Sequence, residues 1–131
     1  MTPISSACPC CSGHLFSACC EPYLAKVTAP PTAEALMRSR YTAYALADEA
    51  YLKSTWCPDT LPTDFNLSDQ ADAKWLGLKI MRRENTDDNH AIVEFDARYK
   101  IRGKAHRLHE VSSFERVADR WCYVDGAFLL K

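Results

Sequence analysis

No run in this sequence approaches the roughly 20 consecutive apolar residues that a membrane-spanning helix needs. The first residues also lack the charged and apolar regions of a secretory signal. A membrane role is therefore not expected, and the chain is read as cytoplasmic. Excess positive charge is missing too. The chain has 16 Lys and Arg against 17 Asp and Glu, a formal charge of −1, so nothing at chain level would neutralise a row of phosphates and nucleic-acid binding has no electrostatic support. Residues 1–31 lack any period of 3.6 or 2 and contain six prolines and glycines among their cysteines. Such a segment cannot bury enough apolar surface to order itself.

Cysteine is what that segment has in quantity. Five of the seven cysteines fall within thirteen residues, Cys8 to Cys20. Four soft sulfur donors, written as a C-x-C pair, an eight-residue spacer and an adjacent C-C pair, can close a tetrahedral shell around zinc. In a site this small the ligation free energy is folding free energy, so metal supplies what the missing core cannot. Cys8, Cys10, Cys19 and Cys20 form the natural ligand set, with Cys11 spare. A local disulfide, substitution by Cys11 or His14, or a redox-active cluster remain as alternatives. The odd cysteine count fits a reducing compartment. Cys57 and Cys122, each alone in its region, are read as free, buried, hydrophobic thiols.

At 131 residues and 47% hydrophobic, the chain is the size of one ordinary domain plus a small appendage. The division is expected near residues 30 and 31. From Thr32 to Leu46 strong helix formers follow a Thr cap and an early acid, and Ala33, Met37, Tyr41 and Tyr44 fall on one face. Arg40 lies at the edge of that face and Arg38 on its flank. A second helix follows from Asp48 to Thr55, and Asn66–Lys74 is a candidate for a third, capped by Ser68. From Trp75 the period becomes 2. Leu76, Leu78 and Ile80 share one side of a strand, Glu84–Asn89 reads as a turn-rich break, and Ala91 to Ile101 alternates apolar and charged residues. Arg102-Gly103-Lys104 turns the chain into a strand from His106 to Arg116. Trp121–Val124 follows, with Asp125-Gly126 as a last turn. The fold class is α+β: helices followed by a four-stranded antiparallel meander that curls around them.

The C-P-C-x-S-G pattern ending in C-C resembles the SEC-C motif, a zinc module known from the tail of the translocation motor SecA, where it is implied to contact the export chaperone. The resemblance implies zinc ligation by Cys8, Cys10, Cys19 and Cys20, and a protein partner reached through the knob. Cys11 stands where the motif usually has glycine. With Ala35–Tyr44, Trp75-Leu-Gly-Leu78, Leu108-His-Glu110 and Trp121-x-Tyr-Val-Asp-Gly126, nearly the whole chain resembles the YchJ family of small bacterial proteins. That implies an NTF2-like domain, a cone of curved sheet closed by helices, often with a pocket inside. Some relatives carry a second cysteine motif at the C-terminus; this chain ends Phe128-Leu-Leu-Lys131 without one.

The expected pocket residues come from three segments. On the strand from His106, the row His106, Leu108, Glu110, Ser112 and Phe114 is mixed in polarity, and so is the opposite row with His109. Glu110 is the expected partner of Arg40 or Arg38, and Tyr41 and Tyr44 add hydroxyls. A carboxylate disfavoured by desolvation beside His106 or His109 would suit proton transfer on a small substrate. An adjacent Arg would instead hold Glu110 as a structural ion pair. Three functions remain open: a zinc-stabilised interaction module, a small-molecule binding or isomerase-type pocket, and a thiol redox protein.

Overall fold

The computed structural model describes residues 7–63 and 73–128. Most of the expected helix from Asn66 lies outside the described residues; its last two positions, Ala73 and Lys74, open a strand instead.

Among the described residues, three α-helices precede the sheet. Helix α1 is a single turn, Glu21–Leu24, preceded by a 3-10 turn at Phe16–Ala18. Helix α2 spans Ala33–Leu46, and Thr32 Oγ1 accepts from the Ala35 amide at 3.0 Å, which satisfies one of the orphan donors of the first turn. It stops at Ala47, whose φ of 60° is left-handed. Helix α3, Glu49–Ser54, is capped in the same way by Asp48 Oδ1 on the Tyr51 amide at 3.0 Å.

Strands β1 (Ala73–Asp87), β2 (His90–Ile101), β3 (Lys104–Val117) and β4 (Arg120–Phe128) form one antiparallel sheet in sequence order. Two-residue turns at Arg102-Gly103 and Ala118-Asp119, with φ positive at all four positions, join β2 to β3 and β3 to β4. Their backbone twist matches that of the strands they connect.

Three expectations about the strands are corrected. Strand β1 continues through Asp87, so Glu84–Asp87 is strand rather than turn. Leu76 does not share a side with Leu78. The register jumps between Trp75 and Gly77, so Leu76 is the extra bulge residue, 46% exposed, while Trp75 and Leu78 turn inward. Asp125-Gly126 is no turn: β4 runs through it to Phe128, again with a register shift. A second bulge near Met81 adds to the curvature of β1.

The concave face of the sheet packs on α2. Val93, Phe95 and Phe114 meet Leu36, Met37 and Tyr41 in the main core. Cys8, Cys10 and Cys20 belong to that same cluster, so the cysteine segment closes one side of the core rather than hanging from it. Ala43, Tyr51 and Leu52 make a smaller cluster between α2 and α3.

Cys57 and Cys122 are not free thiols: they are joined in a disulfide, with 5.1 Å between their Cα atoms. The sequence gives no sign of the pairing because the two stand 65 positions apart. The bridge partners Trp56 and Tyr123 bring them together, with hydrogen bonds from Cys57 N to Tyr123 O and from Tyr123 N to Thr55 O, both 2.8 Å.

Candidate metal centre and ligand cavity

The Sγ atoms of Cys8, Cys10, Cys19 and Cys20 converge within 4.8 Å of one another. Cys10 and Cys19 are 3.7 Å apart and Cys19 and Cys20 3.9 Å. A tetrahedral zinc at ~2.3 Å from each sulfur requires edges of about 3.8 Å, whereas a disulfide would bring two sulfurs to about 2.04 Å. The four sulfurs are thus placed so that they could hold one ion. Hydrogen bonding from Cys20 draws the Cys10 thiol down to about 4, against the effect of its burial. The same contact, with burial, pushes Cys20 up. The cluster thus favours a thiolate, the form that binds metal.

The surroundings of the four sulfurs come from both parts of the chain. Ser12 Oγ shares a hydrogen bond with Cys19 Sγ at 3.2 Å, and Thr42 Oγ1 of α2 lies 3.6 Å from Cys8 Sγ. Arg38 Nη1 donates to the Cys10 carbonyl at 2.9 Å while its Nε pairs with Glu34. Arg38 therefore belongs to the knob, not to the pocket expected for it, because the flank of α2 faces the cysteines. Ser12 and Thr42 carried no signal in the sequence; a hydroxyl near a thiolate is visible only once the chain is folded. Cys11 is exposed, and at φ 63° it occupies the left-handed position that suits the motif's usual glycine. His14 is exposed and outside the four-sulfur set.

On the other side of α2 a cavity of about 320 Å³ opens between helix and sheet. Met37, Trp75, Phe95, Ala97 and Leu108 give it apolar walls. Arg40, Tyr41, Tyr44, Glu110, Ser112 and Tyr123 bring polar atoms to it. Arg40 is only 2% exposed, so it is not at the edge of the core but inside it. Its Nη1 donates to the Leu52 carbonyl at 2.9 Å and to Thr55 Oγ1 at 2.8 Å. Its guanidinium carbon lies 4.4 Å from the Tyr123 ring centroid and 5.0 Å from that of Trp56. Two aromatic faces and two oxygen acceptors thus hold a cation that burial disfavours.

Glu110, 6% exposed, accepts hydrogen bonds at Oε2 from the Ser112 and Tyr123 hydroxyls, the latter at 3.3 Å. No ion pair joins Glu110 to Arg40 or Arg38 among the described residues, contrary to the expectation. The two charges of the cavity are each held by neutral groups, with Tyr123 touching both. Burial raises the pKa of Tyr44 and of Tyr123, so both hydroxyls keep their protons at neutral pH.

Neither histidine joins this set. His109 points to the opposite face of β3, where Nε2 lies 2.7 Å from Glu94 and Nδ1 2.9 Å from Asp96. Strand alternation decides this, since Glu110 points inward. His106 stacks on Tyr99 at 5.2 Å, and four residues of strand, about 14 Å, separate it from Glu110. The proposed acid–base pairing of Glu110 with a histidine has no geometric basis. Trp56 and Tyr123, which hold Arg40, are cavity residues to which the sequence does not point: Trp56 stands outside any motif, and Tyr123 enters only within the Trp121–Gly126 motif.

Comparison with known proteins gives the architecture its relatives. The family described as "YchJ, middle NTF2-like domain" matches residues 32–126. A UPF0225 protein of Ralstonia nicotianae is 50% identical, over 93% of this chain and 91% of its own length. A UPF0225 protein of Chromobacterium violaceum is also 50% identical, over 92% of each. Among solved structures, the solution structure of a SEC-C motif containing protein from Rhodopseudomonas palustris is similar at a TM-score of 0.84 and 34% identity, covering 94% of this chain and 98% of that one. The crystal structure of a SEC-C motif containing protein from Psychrobacter arcticus follows at 0.79 and 27%, covering 95% and 83%. With its cysteine cluster, its four-stranded sheet and this match, the chain belongs to the YchJ family of UPF0225 proteins, with a SEC-C motif ahead of an NTF2-like domain.

Proposed function

We propose that this protein is a zinc-anchored small-molecule binding protein of the cytosol, in which the metal fixes the N-terminal knob on α2 and the NTF2-like domain holds a ligand in the cavity on the other side of that helix. The observation that carries the reading is the pair Arg40 and Glu110. Both are buried in one cavity and they are not paired with each other. A buried charge kept for stability alone usually has an opposite charge against it, whereas a largely apolar cavity with a few convergent polar groups is the usual form of a ligand site.

Zinc is the metal that best suits four thiolates at these spacings. The expected content is one zinc per chain with five reactive thiols in the unfolded, metal-free protein; well under one zinc with those thiols reduced would remove zinc from the proposal. The five unpaired cysteines support a reducing compartment. The Cys57–Cys122 bond counts against it, and the burial of Cys57, 5% exposed, is what would let that bond persist there.

The test of the cavity is ligand-detected NMR against a library of small aromatic and aliphatic fragments, comparing the wild type with Ala97→Phe, which fills the space. Hits that vanish in the filled variant support the reading. A library that yields none, or hits indifferent to Ala97→Phe, refutes it.

A second reading, docking of a protein partner through the knob, draws support from Leu15 and Val27, apolar side chains 50% and 78% exposed near the cysteines. A partner captured by wild type and by Ala97→Phe, but not by Leu15→Ser/Val27→Ser, would favour it.

A further inference from the structure

We infer that the cavity ligand is a small zwitterion, an amino acid or amino-acid-like molecule with an ammonium at one point and a carboxylate at another on an apolar body. The inference rests on the ligand-binding reading above and specifies its chemistry.

Size comes first. At about 320 Å³ the cavity stands at the small end of the range for ligand pockets, ~300–1,000 Å³. A molecule the size of an amino acid with a branched or single-ring side chain suits it.

Charge comes next. The cavity presents one cation and one anion, so a ligand with a single charge would satisfy one and be repelled by the other. A zwitterion satisfies both. The guanidinium has five N–H donors in a fixed fork, and the two acceptors of Nη1, Leu52 O and Thr55 Oγ1, are already engaged. Arg40 lines the cavity next to the Tyr44 hydroxyl, and a ligand carboxylate there would meet the guanidinium in the charge-assisted pairing that suits Arg. Glu110 uses Oε2 for Ser112 and Tyr123, and its Oε1 makes no hydrogen bond among the described residues. That oxygen is the acceptor for an ammonium. Met37, Trp75, Phe95 and Leu108 receive the apolar body.

The experiment uses the full zinc-loaded chain and isothermal titration calorimetry. Leucine and 4-(aminomethyl)benzoate sample short and long charge separations. Each is compared with its one-charge analogues: 4-methylpentanoate and isopentylamine, 4-methylbenzoate and benzylamine. 4-Methylbenzyl alcohol is the neutral probe. At least one zwitterion is expected to bind about tenfold more tightly than both of its analogues, as a site with buried polar groups rejects molecules that leave them unpaired.

In Glu110→Gln the zwitterion should weaken and the matching acid strengthen, because the repelling charge is gone. Arg40→Lys should weaken zwitterion and acid and leave the amine unchanged. Should Arg40→Lys fail to fold, the ligand comparison on wild type and Glu110→Gln decides alone. If the alcohol binds as tightly as either zwitterion, the ligand class is wrong while the cavity reading survives. If none of the seven probes binds, this inference falls, and the fragment screen against Ala97→Phe decides separately whether the cavity reading falls with it.

Discussion

Arg38 on α2 donates from Nη1 to the main-chain carbonyl of Cys10 at 2.9 Å, so a helix of the NTF2-like domain holds the loop that carries the metal ligands. Glu34 fixes the same guanidinium from the preceding turn. Arg38→Ala removes a charge-assisted bond to a buried carbonyl and leaves Glu34 with Arg83 alone. A loss of about 1 kcal/mol is expected after discounting for the partial exposure of Arg38, read from urea denaturation. Zinc transfer to a colorimetric chelator should also quicken. Unchanged transfer would mean that the contact does not hold the loop.

The disulfide predicts a thiol count. In denaturant with chelator, alkylation should modify five cysteines before reduction and seven after it. The bond closes a separation of 65 residues, for which chain entropy gives roughly 4 kcal/mol of stabilisation. Cys57→Ser/Cys122→Ser should therefore unfold at clearly lower urea. Because Cys57 and Cys122 adjoin Trp56 and Tyr123, the faces that hold Arg40, the double variant should also weaken any cavity ligand.

How far the sequence could be read depended on whether a feature was local. The α2 helix was legible from Thr32 to Leu46 because its cap, its helix formers and its apolar face are written in consecutive residues. The four cysteines were legible because their spacing is short. Features made by distant segments were not. The Cys57–Cys122 pairing needs α3 and β4 to meet, and nothing in either neighbourhood announces that. Leu76 was assigned to the wrong face because a bulge changes the period without changing composition. Asp125-Gly126 carries a turn's residues for a different reason: Gly126 lies beneath Glu110, where a side chain would not fit. On β3 both rows are mixed in polarity, and only the fold turns Leu108, Glu110 and Ser112 toward the cavity and His109 away from it; Arg40 is no partner for Glu110 because it is held by groups on α3 and β4.

His90 offers a pH test at the β1–β2 hairpin. Its Nδ1 lies 2.9 Å from Asp87 Oδ1 and its Nε2 3.3 Å from Glu115. The hydrogen bond to Asp87, more than any other contact, raises its pKa above the ordinary value. A raised folded value means that the stability it contributes is full below the unfolded pKa and is lost as pH rises through the folded one. Asp87 has the opposite sign: held low by the Asn89 amide and then by His90, its contribution is present above its unfolded pKa and lost as pH falls through the folded value. The hairpin tip is thus tightest between the two. NMR titration of the His90 ring protons should give a midpoint above about 6.5, and Asp87→Asn should bring it down. A midpoint insensitive to that change would remove the pairing.

Gly126 and Glu110 are coupled by space. A β-carbon on Gly126 would run into the Glu110 carboxylate and lie 2.9 Å from its Cγ. The glycine is required by this approach, not by its backbone angles. Long carboxylates can ordinarily swing aside, but this one is tied to Ser112 and Tyr123, so Gly126→Ala must break those hydrogen bonds or displace β4. Overpacking of this kind costs ~1–3 kcal/mol. Glu110→Ala has its own cost of ~1–3 kcal/mol, because it strands the buried Ser112 hydroxyl and the half-buried one of Tyr123. In the double variant the clash has no second partner, so the combined loss should fall short of the sum by about 1 kcal/mol or more. Urea denaturation of the four proteins measures this directly. Additive losses would show that Gly126 and Glu110 do not compete for one space, and that Glu110 is free to move within the cavity.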